Sequence, residues 1–527
     1  MTPGQSQFPK LAMIAFDAAE IDLITAGIAA GWLPRLAKLR EQGTFLRLKS
    51  DSDIMVGTVW PSFYSGLLPP EHGIFGIVQW RAETMRHERP DEDGWIDTTP
   101  FYRKFGDDGP RVLAIDAPFA PSARPFNGTE IVSWNAHAVR GNRGSWPEDL
   151  AARMQRRHGR PIMRDEIYGP QTAKGLLRLR DRLNATARQQ SALARDLIGT
   201  TEWDLLVLGF GAAHRAGHKL QAPLILRDAA SANNEVSDAL RDVYVACDAA
   251  IGEVVDALPP GCPLIVFSLN GMVQNTSHHF LLPEMLRRIL NNDRSDATGQ
   301  PLPTEPLLHR IRKRVPLEWR SAVKENLPVS VKDGLGRYWR RAEARDWSSV
   351  RAFRLIGSDF EGQVRLNVRG RERDGIVAPG REYNELCEKL VQGLPSFVDA
   401  DSGEPIIADV WPTAELWPDA RERRDAPDLV VRWAHRSPMG LGALKSEHYG
   451  AFLNPWKDTQ PDGRSGHHQP FGWALACGPG QGPGSEAAST HPVQDLTATV
   501  FAHFGLTQPV DMRGNPISEL VKLREKE

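Results

Sequence analysis

The chain has 527 residues, 41% of them hydrophobic and 25% charged. These are ordinary proportions for a globular protein with enough apolar side chain for a large core, and they exclude global disorder. The 64 Lys and Arg against 66 Asp and Glu leave a formal net charge of -2, which argues against nucleic acid or an anionic membrane as the main partner and leaves room for a small-molecule anionic substrate at a local basic funnel.

Residues 11–16 (LAMIAF) are a short apolar run ending at Asp17, read as a buried parallel strand that presents a carboxylate at its end. Helical periodicity follows over 21–41, with Leu33, Leu36 and Leu39 on one face. Further strands are predicted at 111–115 (RVLAI), 204–209 (DLLVLG), 263–268 (PLIVFS), 428–433 (DLVVRW) and 471–477 (FGWALAC). Strands alternating with helical stretches predict an α/β fold with a mainly parallel central sheet flanked by helices. Ligands of such folds sit at the carboxyl ends of the strands, and Asp17, His214, Asn270 and His468 fall at or near such ends. Residues 280–400 are more charged and less regular. The basic run Arg310, Arg312, Lys313 and Arg314 reads as a solvated face, and 365–377 as a hairpin with Gly turns. The expected organisation is one core over 1–280 and 401–527, interrupted by an inserted rim subdomain over 281–400. Cys247, Cys262, Cys387 and Cys477 show no C-x-x-C spacing, residues 1–10 lack the signal-peptide pattern, and 11–16 is too short to span a bilayer. The expectation is a cytoplasmic protein with no membrane segment.

His214 and His218 follow the strand at 204–209 directly. Four residues apart, they share one face of a helical turn, so both imidazoles can reach one ion. His468, in Gly-His-His-Gln-Pro, can supply a third, and three neutral imidazoles with an open position make a catalytic zinc-type site. A lone H-x-x-x-H pair is more often a surface or capping feature, but a buried strand before it and a second histidine loop downstream shift the balance to metal. Asp17 reads equally as a helix cap or a ligand. Thr58 is a hydroxyl that a nearby metal can turn into a nucleophile, although a loop threonine is more commonly a turn residue. His72, in Glu-His-Gly, reads as structural.

Six stretches in order carry a family resemblance: AFDAAEIDLI with GWLPRLAKLREQGTFLRL, WPSFYSGLLPPEHGIFG, WDLLVLGFGAAHRAGH, LIVFSLNGM, SGHHQPFGWALACGPG, and QDLTATVFAHFGL with DMRGNPI. Together they resemble the type I phosphodiesterase/nucleotide pyrophosphatase branch of the alkaline phosphatase superfamily. The resemblance implies an alkaline phosphatase-like core, two metal ions, and a Thr or Ser that attacks phosphorus between them. Asp17 matches a ligand of the second metal, and His218 and His468 match ligands of the first. His214 stands where the family commonly has Asp. Leu269 and Asn270 stand where it has Asp and His; leucine cannot ligate, and Asn270 offers a weak carbonyl ligand. A gapless count back from Ser65-Gly66 puts Val56 at the nucleophile position. Thr58 takes that place if the loop is two residues shorter, and Ser62 is a less favoured stand-in. The expected function is a metal-dependent phosphate-ester hydrolase holding one ion rather than two. The ion is expected to be zinc, with manganese or iron as alternatives, and His137 is a guess for the leaving-group acid. The alternatives are a one-metal member with altered chemistry, either a transferase or a hydrolase of a non-phosphate group, and a non-catalytic binding protein on the same fold. Substrate, monoester or diester preference and oligomeric state are left open.

Overall fold

The structure is a computed structural model. It describes residues 7–76, 78–90, 96–97, 99–135, 144–163, 169, 171–221, 234–292, 347–356, 361–418, 424–458 and 460–521. His137 and the basic run at 310–314 lie outside the described residues.

A nine-stranded sheet forms the core. Its order is Ser485–Pro492, Thr44–Lys49, Phe471–Cys477, Leu264–Ser268, Leu11–Phe16, Leu205–Phe210, Val112–Ile115, Gly128–Val132 and Gly144–Trp146. Five of its eight pairings are parallel, and Phe471–Cys477 and Gly144–Trp146 run antiparallel to their neighbours. The central strands are apolar on both faces because both faces are covered. Along the first strand, Ala12, Ile14 and Phe16 enter one hydrophobic cluster while Leu11, Met13 and Ala15 enter the other. This is the period of two of an extended chain. Each fully buried aliphatic side chain here contributes about 1.5–3 kcal/mol.

The first face is covered by two long helices, Ala173–Thr200 and Asn234–Asp256, which pack on each other. Thr172 caps the first of them by accepting from the Gly175 amide at 3.1 Å. The helical stretch at 21–41 splits into Ile21–Ala29 and Pro34–Gln42. Pro34 opens the second helix at a position where its missing N–H costs nothing, and Leu33, Leu36 and Leu39 are all buried. The other face is covered by Val59–Ser65 and Gln494–Phe504.

A third hydrophobic cluster gathers side chains from Leu281 to Phe452. It lies around a separate four-stranded antiparallel sheet that contains Leu429–Trp433. The strand expected at 428–433 therefore forms, but outside the central sheet. At 365–377 the strand Gly362–Leu366 ends in a tight turn, with Gly370 at φ 80°, and only isolated bridges follow rather than a two-stranded hairpin. Among the described residues, no helix is long and apolar enough to cross a membrane.

His278 is buried where the core meets this second sheet, with its ring edge-on to Trp433 at 5.7 Å. Burial, and then the Arg436 guanidinium, push its pKa down from 6.5 to about 4. A histidine kept neutral in the folded state stabilises fully only above the unfolded value, and that stability is lost as pH falls from 6.5 towards 4. Unfolding in urea at pH 5 is expected to show about 2 kcal/mol less stability than at pH 7.5 from this residue alone. A His278→Leu variant should lack that part of the pH dependence. An identical pH dependence in the variant would contradict this assignment.

Candidate metal centre

The first strand and Leu205–Phe210 run parallel in register, with Phe16 opposite Phe210. Their carboxyl ends deliver Asp17 and the start of the helix Ala212–Leu220 side by side. Every residue of this helix is buried. Across from it lies a two-stranded ribbon of Gly271–Gln274 and Gly466–Gln469, in which Met272 pairs with His468. The Ser268 hydroxyl pins the turn into the ribbon by donating to the Asn270 carbonyl at 2.7 Å.

Helix and ribbon meet backbone to backbone. A side chain on Gly466 would lie 2.2 Å from the Gly217 carbonyl, and one on Gly217 would lie 2.4 Å from Met272 Sδ. The Ser465 amide donates to the His218 carbonyl at 2.7 Å. Lys219 reaches back with its ammonium to the carbonyls of Gly169, Asp462 and Gly463 at 2.8–3.2 Å, which satisfies all three of its protons.

This scaffold brings together His214, His218 and His468, all buried. Their ring centroids are 4.8–5.0 Å apart, and one ligating atom from each lies within 4.8 Å of the others. His214 Nδ1 donates to Asp17 Oδ2 at 2.7 Å, and His218 Nδ1 donates to the Gly466 carbonyl at 3.1 Å. In a neutral imidazole with its proton on Nδ1, Nε2 carries a lone pair. The Nε2 atoms of His214 and His218 face each other at 3.1 Å. Two lone pairs at that distance repel unless a positive charge lies between them, so the pair fits a cation. His468 Nδ1 lies 2.9 Å from Asn270 Nδ2. The two ends of an amide are nearly isosteric; turned over so that its oxygen faces the ring, Asn270 would accept from Nδ1–H, and Nε2 would be the ligating atom of His468. A histidine ligand whose second nitrogen is held by an oxygen acceptor is the usual support of a metal site.

Asp17 spends both oxygens on protein donors, Oδ2 on His214 and Oδ1 on Trp60 Nε1 at 3.1 Å. Leu269 is buried in the hydrophobic cluster on the second face of the sheet. Thr58 is fully buried in the turn Val56–Thr58, and its hydroxyl donates to the Met55 carbonyl at 2.6 Å. Ser62 faces His72 Nε2 at 3.1 Å, but His72 Nδ1 accepts from the Ile74 amide. The ring proton is therefore on Nε2 and points at Ser62, so His72 does not serve Ser62 as a base. Sequence reasoning missed Trp60 and the Gly466 carbonyl. The signal for Trp60 was a buried indole N–H in need of an acceptor; a backbone carbonyl leaves no trace in residue type.

A mainly parallel α/β core flanked by helices, together with the family match, defines a phosphoester hydrolase of the alkaline phosphatase superfamily, whose members are metal-dependent. Residues 11–438 match the type I phosphodiesterase / nucleotide pyrophosphatase family, and the chain belongs to that family; it is a hydrolase acting on phosphoester bonds. Among solved structures it is similar to phosphonoacetate hydrolase from Sinorhizobium meliloti 1021 in complex with phosphonoformate, at 12% identity and a TM-score of 0.50 over 93% of this chain and 94% of that one. It is also similar to an inactive murine ectonucleotide pyrophosphatase / phosphodiesterase 5 in complex with AMP, at 12% identity and a TM-score of 0.47 over 98% and 99%. Comparison with curated proteins finds no match.

Proposed function

We propose that this protein hydrolyses a small anionic phosphoester with one transition-metal ion held by His214, His218 and His468. The observation that carries this reading is the pair of Nε2 atoms facing each other at 3.1 Å with both Nδ1 protons already committed. Zinc suits three imidazoles best, and manganese or iron are the alternatives. The count of one ion is supported by Asp17, whose two oxygens hold His214 and Trp60, and by Leu269, which has no ligating atom. Asp17 and Asn270 then act on the rings of His214 and His468 and are not themselves ligands.

When bound, the ion supplies Lewis acidity to a phosphoryl oxygen and acidifies a nearby hydroxyl or water. Asp17 keeps the His214 proton on Nδ1, and the Gly466 carbonyl does the same for His218. Thr58 is the proposed nucleophile; its hydroxyl donates a hydrogen bond to the Met55 carbonyl at rest and must leave that bond to attack. The segment around 281–400 is the proposed substrate rim. A reducing, cytoplasmic setting is supported by four cysteines that are all unpaired.

The test is a metal count on the purified protein together with turnover of an aryl phosphate monoester and diester by the wild type and Thr58→Ala. One equivalent of metal is expected, with a loss of at least about 100-fold in turnover for the variant. Two equivalents would overturn the one-ion reading. Undiminished turnover would remove Thr58 and leave activated water as the nucleophile.

A further inference from the structure

Glu20 lies three residues beyond Asp17 and is 3% exposed. Its position is not explained by helix capping alone. Oε1 accepts from the Asp22 amide at 3.4 Å, as the cap of Ile21–Ala29, but it also accepts from Gln469 Nε2. Oε2 lies against Gly271, where a side-chain carbon would come within 2.2 Å of it. Gly271 and Gln469 are cross-strand partners, the pair that closes the ribbon at the end carrying Asn270 and His468. Burial pushes the Glu20 carboxyl up, and the Gln469 amide and the N–H groups of Asp22 and Met272 pull the other way. The carboxyl thus touches both strands of the ribbon, while its own backbone N–H is tied to Tyr244 Oη at 2.9 Å on the long helix Asn234–Asp256.

The geometry points to Glu20 as a positioning residue for the metal centre: it clamps the Gly271–Gln469 pair and so fixes the Asn270–His468 contact that presents the third imidazole. Asp17 sets the helix side of the site and Glu20 sets the ribbon side, both from the same short loop. Gly271 has no side chain because the carboxyl fills the space one would need. The inference rests on the three-histidine metal reading.

The test loads the full chain with Co²⁺ and follows its affinity and visible absorption in the wild type, Glu20→Ala, Glu20→Gln and Gln469→Met. Glu20→Ala is expected to weaken Co²⁺ binding by about 10-fold or more, in the range seen for lost supports of metal ligands, and to change the absorption bands. Glu20→Gln keeps an oxygen for Gln469 and the Asp22 amide and should largely restore both. Gln469→Met, at a half-buried site, removes only the link to the ribbon. It should reproduce the Co²⁺ change even if Glu20→Ala fails to fold. A wild type that takes up no Co²⁺ overturns the metal reading and this one with it. A wild type that binds while Glu20→Ala, or Gln469→Met in its place, keeps wild-type affinity and spectrum overturns the role of Glu20 alone.

Discussion

His218→Ala and His468→Ala are each expected to leave the purified protein without its bound ion and to lower phosphoester turnover by about a thousandfold or more, the equivalent of about 4 kcal/mol of lost transition-state stabilisation. The two residues come from opposite sides of the site, one from the helix Ala212–Leu220 and one from the ribbon. Losing either leaves two imidazoles for an ion that needs three protein donors. The alanines also remove a buried ring without stranding a charge, since Gly466 loses a donor to a neutral carbonyl and Asn270 a contact to a neutral ring. Unfolding in the metal-free state should shift by about 1–3 kcal/mol, from a small cavity and a polar atom left without its partner, while the metal content falls to zero. Asp17→Asn should act more mildly, weakening metal binding about 10- to 100-fold, because it alters the support of His214 and removes no ligand. Full metal content in both histidine variants would remove the three-histidine site.

The second large effect concerns stability. Arg365→Leu is expected to cost about 3–5 kcal/mol, because it takes one of two guanidiniums away from a buried carboxylate and leaves two backbone carbonyls without their donor. Arg365 is buried at the end of the strand Gly362–Leu366, and its Nε donates to Glu372 Oε1 at 2.8 Å. Its other nitrogens donate to the carbonyls of Ala426 and Arg424. Glu372 also receives Arg371 and the Val368 amide, and Arg371 continues to Asp428 at 2.6 and 2.7 Å. Burial pushes the Asp428 carboxyl up, but Arg371 outweighs it and holds the group below its ordinary value. The network joins one strand of the second sheet to the entry of Leu429–Trp433. A double variant, Arg365→Leu with Glu372→Met, should be less destabilised than the sum of the two singles, because each single already loses the contact between them. An Arg365→Leu loss of under about 1 kcal/mol would contradict the burial argument.

Much of the central sheet was legible, and the reason is local. Leu11–Phe16 and Phe471–Cys477 carry their burial in their own apolar runs, and both form with the expected ends. The same signal misled at 428–433, since an apolar run records burial and not which sheet the strand joins; partners are chosen by residues far away in the chain. In the candidate site, His214 and His218 could be paired from a spacing of four, and His468 from its glycine-rich loop. The contacts that decide their protonation could not. Trp60 meets Asp17 across 43 residues, and Asn270 meets His468 across 198. Such pairs exist only once the strands have delivered their carboxyl ends to one edge.

The contact between Gly217 and Gly466 bears on which ion the proposed site would accept. A centre whose ligands come from pieces separated by side chains can widen or narrow by repacking them. Here the helix and the ribbon touch through main chain, so the distance between the His218 and His468 backbones has little room to adjust. Ionic radius then becomes a selection criterion alongside ligand chemistry. In the proposed three-histidine site, an ion too large for the spacing would have to push two backbones apart.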